Sequence, residues 1–145
     1  IILGSGNQQI ENELKTLQSQ FNINFALDLG YKEYLSHQIY ASADFLLMPS
    51  RVEPCGLNQM YSMRYGTIPI VRYTGGLRDT VQDISTGGAG LNFTFPGADD
   101  AVHAIKRALH IYSQKDLMKG LIYSNMSFDF SWEKSAKKYL EMYNY

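Results

Sequence analysis

The chain has 145 residues, 45% of them apolar and 19% charged, with a net charge of −1. This is the composition of a globular protein with one sizeable core. The balanced charge excludes a basic footprint for nucleic acid or an anionic membrane surface, and no apolar run approaches the ~20 residues that cross a bilayer.

Taken in chain order, Ile1–Leu3 is a short apolar run ended by Gly4, the pattern of a buried parallel strand. Ile10, Leu14, Leu17 and Phe21 recur at helical spacing and predict an amphipathic helix over 8–20. Ile23, Phe25 and Leu27 alternate as a strand does. Residues 32–43 read as a helix with Leu35, Ile39 and Ala43 inward, and Phe45–Met48 as a third strand. A helix over 57–65 is stopped by Gly66, and Ile68–Val71 is a fourth strand, with Pro69 near its start. A glycine-rich loop over 86–90 leads to a short strand over 91–95. Three helical patterns follow: one through Val102, Ile105, Leu109 and Tyr112, one over 115–124, and one through Trp132, Ala136, Tyr139 and Tyr143, with Ser131 as its N-cap. Strand and helix alternate at α/β spacing, so the expected fold is a Rossmann-like parallel sheet with right-handed crossovers and helices on both faces. No repeat or internal linker divides residues 1–145, which read as a single domain.

Cys55 is the only cysteine, so no intrachain disulfide can form and a reducing, intracellular setting is expected. No basic leader precedes IILGSG, so no signal peptide is expected, and the lack of an initiator Met suggests a piece of something longer.

In open parallel sheets, ligands bind beyond the carboxyl ends of the strands. Three segments at such ends carry unusual residues: Gly30-Tyr31, Pro49 to Asn58, and Thr74-Gly75-Gly76-Leu77. In the middle one, Pro54 suits the approach to a helix, and Gly56 lets the backbone come close to an outside group. The amides of Gly56, Leu57 and Asn58 would be the unpaired donors of a helix start, where an anion can sit. Glu53 beside them would repel a phosphate but would accept hydrogen bonds from hydroxyl groups of a neutral neighbour. A phosphate flanked by a polyol describes a nucleotide sugar. The alternative is that Glu53 only satisfies nearby backbone amides.

The stretch PSRVEPCGLNQMYSMRYGTIPIVRYTGGLRDTV, Pro49 to Val81, resembles the signature of bacterial glycogen synthases and plant starch synthases. These are retaining glycosyltransferases built of two Rossmann-like domains, the GT-B arrangement. The matching positions are PSR-x-EPCGL, Gln59 and Tyr61, Arg64-Tyr65-Gly66-Thr67, and TGGL with Asp79-Thr80-Val81. Weaker resemblance runs from LGSG to SWEKSAKKYLEMY, so the chain is similar to the C-terminal, donor-binding half of such an enzyme. The resemblance implies glucosyl transfer from ADP-glucose to the non-reducing end of an α-1,4-glucan, with retention. It implies that Glu53 hydrogen-bonds the donor glucose and stabilises charge at its anomeric carbon. It implies further that Gly56, Leu57 and Asn58 hold the distal phosphate, that Tyr31 stacks on the base, and that Gly75 and Gly76 line the donor pocket with Ser50 and Cys55. No metal or other cofactor is expected, ADP-glucose being a substrate.

Two positions depart from the wider pattern. Many relatives of this fold carry a second Glu eight residues after the first, on the nucleotide ribose; here that residue is Tyr61, as in glycogen synthases. Asn58 stands where many bacterial members have Thr, and a backbone amide is indifferent to the change. The resemblance also implies absent parts: an upstream Arg and Lys for the leaving diphosphate, an N-terminal acceptor domain, and the first strand and helix of the donor domain, that strand being central in the sheet. The fragment is therefore expected to be inactive alone and to expose an apolar sheet edge that invites an oligomer or strand exchange. Its setting would be a bacterial cytoplasm or a plastid. Two other readings remain: a non-catalytic nucleotide- or glucan-binding module, and a related retaining enzyme using UDP-glucose or another acceptor, since a stacking Tyr31 accepts adenine or uracil.

Other features receive plain readings. Gln9 stands where a dinucleotide fingerprint needs Gly or Ala, which argues against NAD. Asp99-Asp100 suits a helix start better than a metal. His37, His103 and His110 lie on helical patterns without ligand spacing. Arg51 and Arg64 suit phosphate contacts or structural ion pairs alike, and Trp132 is expected to anchor the last helix.

Overall fold

A computed structural model describes residues 1–143, and no helix among them is long and apolar enough to cross a membrane. The chain divides into two units, Ile1–Ile39 and the residues from Tyr40 onward.

The first unit is one βαβ turn. Strands β1 (Ile2–Gly4) and β2 (Leu27–Leu29) pair in parallel with Leu3 opposite Asp28, and α1 (Gln8–Gln20) connects them. Asn7 starts α1 because its side-chain oxygen accepts from Gln9 N at 2.8 Å and Ile10 N at 3.4 Å, satisfying donors that the helix leaves unpaired. The strand expected to include Ile23 and Phe25 begins only at Leu27. Asn24 N and Phe25 N both donate to Phe21 O, which winds the chain through a turn off the end of α1 and leaves Ile23 in solvent. Alternation over three residues could not distinguish this turn from a strand. Helix α2 (Glu33–Ser42) ends the unit and runs on into the next.

The second unit holds β3 (Phe45–Met48), α3 (Asn58–Arg64), β4 (Ile68–Arg72), α4 (Gly75–Thr80), β5 (Leu91–Phe93), α5 (Ala98–Tyr112), α6 (Lys115–Ser127) and α7 (Trp132–Tyr143). Its sheet is parallel, in the order β3-β4-β5, with Met48 opposite Val71 and Ile70 opposite Leu91. Successive β4 residues face opposite sides, and each side has its own helices. Ile68 and Ile70 pack with Leu91, Ala104, Ala108, Ile111, Met118 and Leu121, the inward faces of β5, α5 and α6. Val71 packs with Met48, Met63, Leu77 and Val81, beneath α3 and α4. Parallel sheets flanked by helices are thus present, as the alternating pattern predicts.

Pro69 sits on the central strand, yet removes no ladder bond. Ile68 N donates to Asp44 O on the β3 side, so the nitrogen of Pro69 faces the β5 side, where pairing begins only at Ile70. Helix α4 begins in the Thr74-Gly75-Gly76-Leu77 segment, where two glycines leave the sequence without helical spacing. The strand expected over 91–95 ends at Phe93: Phe95 N bonds Asp100 Oδ2 at 2.9 Å, so Asp100 serves the start of α5, as its position suggests. Ser131 Oγ accepts from Lys134 N at 3.3 Å and caps α7 as expected. Trp132 is 86% exposed, so it does not anchor α7 to the core described here.

Candidate active site

Adjacent parallel strands end side by side, so the segments leaving β3 and β4 are placed together by the sheet itself. Between Met48 and α3 the chain runs through Ser50, Glu53, Cys55, Gly56 and Leu57; between Arg72 and α4 it turns at Thr74 and Gly75. The two segments touch through their main chains. Gly76 N donates to Glu53 O at 2.9 Å. A Cβ on Gly75 would lie 1.9 Å from Glu53 O, and one on Gly76 would lie 2.2 Å from Cys55 O. No other residue type allows that approach, which is the physical reason for two glycines in TGGL.

Glu53 is half-buried, and Ser50 Oγ donates to its Oε2 at 3.1 Å. The reading in which Glu53 only caps local amides is not supported, since the hydrogen bond found for its carboxylate comes from a hydroxyl. Arg72 braces the segment from below: Nη1 donates to Ser50 O at 3.1 Å and Arg51 O at 2.7 Å, and Nε reaches Thr94 O at 3.3 Å. Gly56 has φ +73, a conformation that favours glycine and turns the chain into α3. Cys55 is exposed, and its thiol donates to Gly56 O at 3.6 Å. Leu57 precedes the first helical residue, Asn58, and no side chain caps α3, so its leading N–H groups have no side-chain acceptor.

Of the residues expected in the site, Ser50, Glu53, Cys55, Gly56, Leu57, Asn58, Gly75 and Gly76 are therefore brought together at these two strand ends. Tyr31 belongs to the first unit, where it follows Gly30 beyond β2 and is 85% exposed. Arg64 Nη1 donates to Met126 O at 3.1 Å, a structural tie between α3 and α6. Among the described residues, no group of three or more His, Cys, Asp or Glu side chains could hold a metal ion.

Two residues were missed from the sequence. Arg72 ends an apolar strand and carries no local signal of its role. Thr80 lies in the Asp79-Thr80-Val81 part of the signature, and its Oγ1 donates to Gly76 O at 2.8 Å. A neighbouring cavity of about 380 Å³ is lined by Tyr73, Arg78, Asp83, Asn92 and Arg107 among others. Its floor is an ion pair, Arg107 Nη2 to Asp83 Oδ1 at 2.6 Å. Burial alone would raise the Asp83 carboxyl. The Arg107 guanidinium and the N–H groups of Ser85 and Asn92 outweigh it and hold that carboxyl well below the usual range.

Comparison with known proteins bears on this geometry. The family model of glycosyl transferases group 1 matches residues 1–122. A glycogen synthase of Flavobacterium johnsoniae is 49% identical over 144 residues, covering 99% of this chain and 30% of the relative. One from Fervidobacterium nodosum is 46% identical over 146 residues, covering 99% of this chain and 30% of the relative. The catalytic domain of starch synthase IV from Arabidopsis thaliana, solved bound to ADP and acarbose, superposes with a TM-score of 0.86 at 40% identity, over 97% of this chain and 30% of that one. The chain thus spans 30% of the length of the curated relatives it matches. With a family model matched across most of its residues and both strand-end segments in place, the chain belongs to the group 1 glycosyl transferases.

Proposed function

We propose that this chain is the donor-binding domain of a glycogen or starch synthase, which transfers glucose from ADP-glucose to the non-reducing end of an α-1,4-glucan with retention of configuration. One observation carries the reading. Glu53, the start of α3 and the Gly75–Gly76 turn meet at adjacent strand ends, in a chain 40% identical to a starch synthase solved with ADP and acarbose.

In this reading the amides of Gly56, Leu57 and Asn58, leading into α3, face the distal phosphate of the donor. Ser50 holds the Glu53 carboxylate toward the glucose hydroxyl groups. Tyr31 supplies a ring face for the base. As the anomeric bond lengthens, positive charge grows on the sugar and negative charge on the diphosphate. A fixed carboxylate near the first and fixed donors near the second lower the barrier without reorganising at the moment of reaction. No side chain attacks covalently; the leaving diphosphate assists deprotonation of the incoming hydroxyl on the same face. The acceptor side and the basic pair that neutralises the diphosphate would come from the rest of a full-length, two-domain GT-B protein. The reaction would need no metal and would take place inside the cell, in a bacterial cytoplasm or a plastid.

The test is glucose transfer to glycogen by the full-length protein, with ADP-glucose and UDP-glucose compared. Strong preference for ADP-glucose is expected, and transfer from neither would leave a binding module or an enzyme with another acceptor. Glu53→Gln should lower turnover by about 100-fold or more while ADP binds within a few-fold of the parent. Turnover within a few-fold of the parent would remove Glu53 from its assigned role.

A further inference from the structure

Gln59 is fully buried in the first turn of α3, yet its side chain is polar at both ends. Its Nε2 donates to Gly56 O at 2.9 Å and to Thr80 Oγ1 at 3.1 Å, with Cys55 O at 3.3 Å. Those acceptors fix the amide orientation, because exchanging its O and N would set an oxygen against two carbonyls. Oε1 is left buried with no hydrogen-bond partner among the described residues, and it lies 2.6 Å from where a Cβ on Gly56 would stand. A buried acceptor without a donor costs stability, so packing alone does not account for an amide here; an apolar side chain would fill the space at less cost.

What the amide does is join two walls. Thr80 Oγ1 accepts from Gln59 and donates to Gly76 O at 2.8 Å, while Gly76 N donates to Glu53 O at 2.9 Å. A closed circuit results: the Glu53–Gly56 segment, Gln59, Thr80, Gly76, and back to Glu53. Every link except Gln59 to Thr80 ends on a main-chain group, and that one joins two side chains that are themselves tied to main-chain carbonyls. Hydrogen bonds in such a buried circuit support one another.

We propose that Gln59 and Thr80 are positioning residues, whose amide–hydroxyl relay locks the Glu53 segment to the Gly75–Gly76 turn and thereby sets where the Glu53 carboxylate stands in the site. This inference rests on the reading of Glu53 given above. A displacement of about 1 Å at a reacting centre costs on the order of 100-fold in rate while ground-state binding persists. Loss of the relay therefore lowers kcat and spares KM.

The experiment uses the full-length protein and ADP-glucose, with kcat and KM measured for the parent, Thr80→Val, Thr80→Ser and Glu53→Gln. Thr80→Val keeps the side-chain volume and removes the hydroxyl; Thr80→Ser keeps the hydroxyl. The expected result is a fall in kcat of about tenfold or more for Thr80→Val, with KM within about threefold, and recovery of most of kcat in Thr80→Ser. Should Thr80→Val fail to fold, Gln59→Asn withdraws the amide by one methylene and is expected to give the same split. An unchanged kcat in the folded variant overturns the inference. So does a raised KM at constant kcat, and so does an equal loss in Thr80→Ser. If Glu53→Gln keeps parental turnover, the reading of Glu53 fails and takes this inference with it. If Glu53→Gln is inactive and Thr80→Val is not, only the relay fails.

Discussion

Residues 1–39 and the residues from Tyr40 onward carry the same strand–helix–strand rhythm, and only the second set owns a core. In the first unit two three-residue strands pair, and no residue is fully buried. A hollow of about 250 Å³ remains there, lined by Ile2, Leu3, Ile10, Leu14 and Leu29 among others. In the second unit the central strand is covered on both faces, and Ile68, Val71, Leu77 and Leu91 lose all contact with water. The lesson is that rhythm decides element type, while burial depends on how many strands share a sheet. Two short strands with α1 and the start of α2 seal no residue from water, whereas three strands with helices on both faces do.

Three substitutions probe that contrast, each read as hydrogen–deuterium exchange of backbone amides in the full-length protein. The largest effect is expected from Leu77→Ala, which empties a fully buried site between α4 and β4. A loss of about 2–5 kcal/mol in the opening free energy of β4 amides is expected, and a loss below about 1 would mean that this face collapses around the gap.

Asp83→Asn comes next. It removes the charge that Arg107 pairs and that Ser85 N and Asn92 N also serve, at an expected cost of about 2 kcal/mol at neutral pH. The pH dependence has a definite sign. A carboxyl whose folded value is depressed stabilises fully above its unfolded value of about 4, and that stabilisation fades as pH falls below it. The difference between parent and Asp83→Asn, corrected for intrinsic exchange, should hold level at neutral pH and shrink below about pH 4. A difference that grew on acidification would contradict the ion pair.

The smallest effect is expected in the first unit. Leu17 on α1 is 40% exposed, so Leu17→Ala should cost about 1 kcal/mol or less at β1 and β2 amides. A cost as large as that of Leu77→Ala would break the comparison, because α1 would then be packed in the full-length protein as deeply as α4 is here.

The sequence alone determined a good deal. Helical spacing placed α1 over its full span, the apolar run placed β3 to the residue, and Ser131 marked the start of α7. Those signals are local: an N-cap or a hydrophobic stripe is set by residues within a turn or two of one another. The signature from Pro49 to Val81 likewise marked the residues that meet at the ends of β3 and β4. Local signals failed where a distant group intervened. Gly75 and Gly76 carry no helical spacing, and they open α4 as glycines because the backbone of Glu53 and Cys55 comes too near for any side chain. Ile23 and Phe25 alternate as a strand would, but Phe21 O captures the following amides first. Only the tertiary structure decided that Gln59, 21 residues from Thr80, shares a hydrogen bond with it, and that both act on the loop bearing Glu53. Residue types and elements are written in near neighbours. The meeting of two loops is written in the order of the strands that carry them.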